Sequence, residues 1–245
     1  MSADVTPVEL LVFGPHPDDI EIGMGGTIAK HATAGSPVGL CDLSRGELGS
    51  NGTPGQREEE GRAAARVLGA TWRVNLALPD GGLTETADHV RRIVDVVRRA
   101  RPGAIAIPFG GDRHPDHVAA HRLLVVSIFK AGLRRYETDA PPWQPEWTCS
   151  YFINDSDSPS FVIDVSDVYE RKRKALACHR SQFAPSGDDA AATRLTSPLF
   201  RQLVESRDAQ FGARAGVRFA EGFLVREPVL RPLLTVRWPG VPRRQ

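Results

Sequence analysis

Short apolar runs alternate along the chain with longer segments whose apolar positions recur every three or four residues. The first pattern predicts buried strands and the second predicts amphipathic helices. VELLVF (8–13) reads as a strand, EIGMGGTIAKHATAG (21–35) as a helix ending near Gly35, and PVGLCDL (37–43) as the next strand. A glycine-rich loop, RGELGSNGTPG (45–55), leads into a helix over 56–70 with Gly69 as its stop signal. WRVNLAL (72–78) is a strand and PDGG a turn. In the helix over 87–102, Val90, Ile93, Val94 and Val97 share one face, with arginines opposite. GAIAIPF (103–109) is a strand, and GGDRHPDH (110–117) a loop entering a helix that runs to about Gly132.

Beyond residue 132 the alternation weakens. CSYFIND and SFVIDVS read as strands, and DVYERKRKALACHRSQF (167–183) as one helix. A polar break (184–193), a helix over 198–212 and a last strand, AEGFLVRE (220–227), follow. The whole predicts an α/β fold, a Rossmann-like, mostly parallel sheet flanked by helices. We read residues 1–245 as a single domain, with a regular core at 1–132, a less regular part at 133–230 and a loose tail at 231–245. In such sheets ligands bind beyond the carboxyl ends of the strands. Both histidine-bearing segments, 14–19 and 110–117, follow predicted strands.

Composition narrows the function classes. A formal net charge of +1 gives no electrostatic reason to expect a nucleic-acid partner. The three cysteines, Cys41, Cys149 and Cys178, are far apart and form no C-x-x-C pair, which argues against a disulfide framework or a zinc ribbon. The N-terminus lacks a basic n-region, and no window approaches the apolar length of a spanning helix. The expectation is a cytoplasmic protein without a membrane partner.

The chemistry concentrates in two segments. FGPHPDDIEIGMGGT (13–27) presents His16, Asp18 and Asp19 around Pro17, which fixes one φ angle in the turn. RHPDH (113–117) repeats the grammar with His114, Asp116 and His117. Helix capping accounts for one aspartate in each segment, but not for two with a histidine. Two such segments at strand ends of one sheet point to a shared site. A catalytic zinc site takes three N and O ligands and an open position. A spare carboxylate and a spare histidine then serve as base and as acid or oxyanion donor. The glycines Gly23, Gly25 and Gly26 let the following helix pack closely. They are not a dinucleotide fingerprint, because the third glycine position is Ile28.

PHPDDIE and RHPDH together resemble the LmbE/PIG-L family of zinc-dependent N-deacetylases, which act on N-acetylglucosamine-containing compounds. DLSRGELGSNGTPGQREEEGRAAARVLGA, NLALPDGGL, IPFGGDRHPDH, FVIDVSDVYERKRKALACHRSQF and LTSPLF extend the likeness over roughly residues 8–227. They follow the bacillithiol-biosynthesis branch, which deacetylates N-acetylglucosaminyl-malate. Pro15 departs from the family's usual alanine, outside the ligand set. The resemblance implies that His16, Asp19 and His117 hold one Zn2+, with Fe2+, Mn2+ or Co2+ as possible occupants. It implies Asp18 as general base, His114 as oxyanion and amine partner, and Asp116 as the carboxylate orienting a histidine. It further implies a homo-oligomer, a hexamer in relatives, with the 133–230 part completing the site and supplying contacts.

Other residues follow from the same likeness. Arg57 is expected against the substrate sugar or its acetyl-bearing group. Arg113 could clamp a carboxylate, and the branch's substrate carries malate. Glu47 and Ser50, with Asn51, lie in a loop expected to line the pocket, and Ser181 and Gln182 are expected to approach it. His121 reads as a supporting or surface histidine, and His31, His89 and His179 as structural or surface residues. Rival readings are an amidase on mycothiol-type or bacillithiol conjugates, a deacetylase of chitin-type oligosaccharides, and a metal-dependent sugar-binding protein without turnover.

Overall fold

The computed structural model describes residues 5–187 and 190–228. The tail expected at 231–245 lies outside them. β1 (Leu10–Gly14), α1 (Asp19–Thr33), β2 (Val38–Ser44), α2 (Pro54–Leu68), β3 (Trp72–Leu78), α3 (Ala87–Ala100), β4 (Ala104–Pro108) and α4 (Pro115–Ala131) alternate strictly. β5 (Trp147–Tyr151), β6 (Phe161–Asp164), α5 (Tyr169–Cys178), α6 (Arg180–Phe183), α7 (Pro198–Ala215) and β7 (Ala220–Val225) follow. All seven strands form one sheet in the order β3-β2-β1-β4-β5-β7-β6. β1 to β5 pair in parallel, and β7 runs antiparallel to both β5 and β6.

Alternation along the strands builds two cores. Leu10 and Val12 of β1 face a layer containing α1, α2, α5 and α7, while Leu11 and Phe13 face α3 and α4. The predicted stripe of α3 is buried in the second core. Burial on both faces explains why these strands read as continuous apolar runs. Among the described residues, no helix is long and apolar enough to cross a membrane.

Two predicted helices are interrupted. The single helix expected over 167–183 is two, because His179, with φ −79° and ψ 59°, leaves the helical region between α5 and α6. Within α1, Met24 is non-helical, and the amides of Gly26 and Thr27 beyond the break donate to the Glu221 carboxylate at 2.9 and 2.6 Å. Glu221 thus caps the second half of α1 from β7. The glycines of α1 allow close approach, since a Cβ at Gly23 would stand 2.1 Å from the Tyr151 ring.

The chain moves from β1 outward to β2 and β3, then returns to place β4 on the other side of β1. The β1/β4 boundary is therefore a switch point, where loops diverge and leave a crevice. HPDD follows β1 and DRHPDH follows β4, so the two segments meet across that crevice.

Candidate metal centre and its surroundings

His16, Asp19 and His117 are all buried. His16 Nδ1 stands 3.0 Å and His117 Nε2 3.3 Å from the same oxygen, Oδ2 of Asp19. One ligand atom from each residue lies within 4.8 Å of the others. Two imidazole nitrogens and one carboxylate oxygen fit a divalent ion with open positions. The second nitrogen of each ring faces a carboxylate, which fixes its tautomer and orientation. His117 Nδ1 lies 3.1 Å from Asp112 Oδ1, and His16 Nε2 lies 3.2 Å from Asp116 Oδ2 and 3.0 Å from Asp80 Oδ1.

The field around this cluster favours positive charge. Burial pulls the His16 and His117 rings toward neutrality, but the surrounding carboxylates win: His16 is raised well above its ordinary value and His117 to about 9. Burial alone would lift Asp19, yet the two imidazoles hold it well below the usual carboxylate range. A divalent cation among these groups satisfies the same field that otherwise draws protons.

Asp18 adopts φ 119° as the N-cap of α1 and makes no side-chain capping bond. Positive φ at a non-glycine residue stores strain, of the kind concentrated at functional sites. Its carboxylate is 3% exposed and accepts from Arg57 Nη2 at 3.3 Å. Burial raises it to about 6, with Arg57 pulling down and Asp19 pushing up.

His114 is the N-cap of α4, with Pro115 next. Its ring stacks on His117 at 4.6 Å and meets His16 edge-on at 5.1 Å. Burial and the neighbouring His117 and His16 lower its pKa. Its Nδ1 accepts from the Asp116 N–H at 3.2 Å. A neutral ring that accepts at Nδ1 carries its proton on Nε2.

The remaining expected residues divide. Arg57 is buried beneath Asp18, and its guanidinium also donates to Pro17 O and Gly46 O. The Asp116 carboxylate engages His16 and the Gly81 N–H. Arg113 is exposed beside His114, and Ser50 is exposed on its loop. Glu47 Oε1 accepts from the Asp80 N–H at 3.0 Å. Gln182 Nε2 donates to Asn51 O at 2.6 Å, anchoring the 45–55 loop from behind, and Ser181 donates to Glu60 of α2. His121 lies outside the cluster, its Nδ1 2.9 Å from Pro108 O. His179 is fully buried, 3.3 Å from Glu21.

Sequence reasoning missed Asp112, Asp80 and Asn154. Asp112 accepts from the His114, Asn154 and Asp155 amides as well as facing His117. Burial would raise its carboxyl, but His117 and these amides hold it well below the usual range. The available signal was position: Asp112 lies in the loop after β4 and Asp80 in the turn after β3, where a sheet of this type gathers ligands.

A family model described as GlcNAc-PI de-N-acetylase, PIG-L, matches residues 11–128, a span containing both HPD segments. A diacetylchitobiose deacetylase of Thermococcus kodakarensis is 30% identical, covering 87% of this chain and 81% of that protein. A 1D-myo-inositol 2-acetamido-2-deoxy-alpha-D-glucopyranoside deacetylase of Rhodococcus opacus is 28% identical, over 87% of this chain and 94% of its own. The crystal structure of a conserved protein from Thermus thermophilus superposes with a TM-score of 0.85 at 37% identity, covering 94% of this chain and all of that one.

Proposed function

The chain belongs to the PIG-L/LmbE deacetylase family, and from that premise we propose that it hydrolyses the N-acetyl group of a small N-acetylglucosamine-containing molecule, releasing acetate and a primary amine. The observation that carries this reading is the convergence of His16 and His117 on one oxygen of Asp19, with Asp18 and His114 left over beside them. Those two are the groups that amide hydrolysis needs beyond a metal.

Zinc held by His16, Asp19 and His117 would supply Lewis acidity at the acetamide carbonyl and acidify the attacking water. Asp18, titrating about 6, is ionised at neutral pH and accepts the proton of the water as it adds. Arg57 holds that carboxylate in place from behind. Neutral His114 directs Nε2–H at the developing oxyanion, because the Asp116 N–H occupies Nδ1. The proton gathered on Asp18 is then available to the departing nitrogen, which leaves as an amine.

For the aglycone, we favour malate. Arg113 is an exposed guanidinium next to His114, suited to a bidentate carboxylate contact. N-acetylglucosaminyl-malate, the bacillithiol precursor, is then the substrate. A chitooligosaccharide is the second reading, favoured by the 30% identity to the Thermococcus diacetylchitobiose deacetylase. Zinc-loaded protein is incubated with N-acetylglucosaminyl-malate, N,N'-diacetylchitobiose and free N-acetylglucosamine, and primary-amine release is followed. Faster release from the malate glycoside, lost about tenfold or more in Arg113→Met, is expected. Faster release from the disaccharide moves the assignment to the second reading, and release from none of the three overturns the deacetylase reading for these substrates.

A further inference from the structure

The LPDGG turn after β3 is not accounted for by the hydrolysis itself, yet its aspartate reaches the metal ligands. Asp80 Oδ1 lies 3.0 Å from His16 Nε2, while its Oδ2 accepts the Leu48 N–H at 2.8 Å. The Asp80 N–H donates in return to Glu47 Oε1 at 3.0 Å. One residue therefore clasps the 45–51 loop by two bonds and a metal-binding histidine by a third. Leu48 is 73% exposed at the crest of that loop, and its side chain lies over Gly81.

With His16 Nδ1 given to the metal, a neutral ring has one proton to give, at Nε2, and two carboxylates compete for it. The Asp116 oxygen at 3.2 Å is also served by the Gly81 N–H at 2.8 Å. The Asp80 oxygen is nearer to His16. We propose that Asp80 is a positioning residue for the reaction. It orients the His16 ring from the side opposite Asp19, and with the same carboxylate it holds Leu48 at the mouth as a contact for the apolar face of the substrate. Loop position and ligand geometry become one coupled unit, so a substrate that presses on the loop also tightens the metal site.

The chemistry of the carboxylate supplies the test. Its two oxygens face two donors, and an amide has one acceptor oxygen and no charge, so Asp80→Asn releases either the His16 ring or the Leu48 N–H and weakens its hold on His16 in both cases. Metal affinity is read by competition with a chromophoric chelator, steady-state kinetics are run at saturating metal, and thermal melting is recorded alongside. In Asp80→Asn, metal affinity is expected to fall about 10–100-fold, the usual cost of losing such an orienting partner, with a lower kcat and a higher KM. Leu48→Ala removes apolar contact area while keeping the loop backbone and its bonds to Asp80, and is expected to raise KM several-fold while leaving metal affinity within about twofold. Should Asp80→Asn not fold, Asp80→Glu, which keeps the charge and displaces the oxygens, carries the same expectation. Wild-type metal affinity in a folded Asp80 variant overturns the proposal, even if its melting temperature drops, because that pattern marks a purely structural role. The kinetic part rests on the deacetylase reading and the metal part does not, so failure of either is recognised separately.

Discussion

At the scale of single residues, the proposed site separates groups suited to hold a metal from groups suited to move a proton. Asp18 and Asp19 are adjacent, yet burial lifts one to about 6 while the two imidazoles hold the other far below. Pairs pushed apart in this way mark acid–base assignments. Asn tolerates the positive φ of position 18 and keeps the shape of the side chain. Asp18→Asn is therefore expected to retain metal and fold while turnover falls about 10²–10⁴-fold, the usual worth of a general base. Metal content measured with amine release checks this, and near-full activity would remove Asp18 from the mechanism. Asp112→Asn makes the opposite split: with His117 no longer properly oriented, metal affinity is expected to drop about 10–100-fold, a loss that chelator competition detects directly. These roles differ in legibility. The HPD segments are local, and proline fixes their turns, so spacing alone singled them out. Asp80 and Asp112 face histidines brought near by the sheet; NLALPDGGL and IPFGGDRHPDH carry the family likeness, but local spacing assigns neither aspartate a role.

At the scale of elements, period was a reliable guide wherever one side of a helix faces the sheet. The α3 stripe of Val90, Ile93, Val94 and Val97 is buried as its spacing requires. Arg98, expected among the solvated arginines opposite, is buried too, because its guanidinium donates to the carbonyls of Ala131, Leu133 and Tyr136 at and beyond the end of α4. Interruptions were invisible, because they are imposed by tertiary partners. Met24 leaves the helix where Glu221, nearly two hundred residues away in sequence, supplies acceptors for Gly26 and Thr27. Glu221 is in turn held by Lys172 at 2.7 Å, and Lys172 by Asp208 at 2.6 Å, all fully buried. The ammonium of Lys172 is the cation between these two carboxylates. Replacing it by methionine leaves both buried with reduced compensation, and breaking a buried pair in this way costs about 3–5 kcal/mol. Lys172→Met is expected to lose stability of that order in urea unfolding. A variant within about 1 kcal/mol of wild type would show that the network adds little to stability.

At the scale of the whole molecule, a second buried network joins the halves of the chain just behind the site. Glu21 of α1 binds Arg73 of β3 at 2.5 Å and lies 3.3 Å from His179 between α5 and α6, while Arg73 reaches Asp42 of β2 at 2.7 Å. The helix predicted over 167–183 breaks at His179, whose fully buried ring lies beside Glu21. Burial acts to raise the Glu21 carboxyl, but Arg73 and then His179 bring it down to about 2, from an ordinary value of 4.5. A depressed acid contributes stability above its unfolded pKa and loses it as pH falls toward the folded one. The contribution is thus complete above pH 4.5 and is lost between about 4.5 and 2. Its ceiling is about 3 kcal/mol, from 1.36 kcal/mol per unit. Asp42 works against it, since burial raises that carboxyl despite Arg73. Urea unfolding at pH 6 and at pH 3 is expected to show a drop that shrinks in Glu21→Gln, measured against that variant's own lower baseline. An equal drop in the variant would assign acid sensitivity to other carboxylates, Asp19 and Asp112 foremost, whose pKa values are also held low. Metal loading separates the two sources. Metal bound at the proposed site would compete with protons at Asp19, whereas Glu21 would titrate inside the fold whether or not that site is filled.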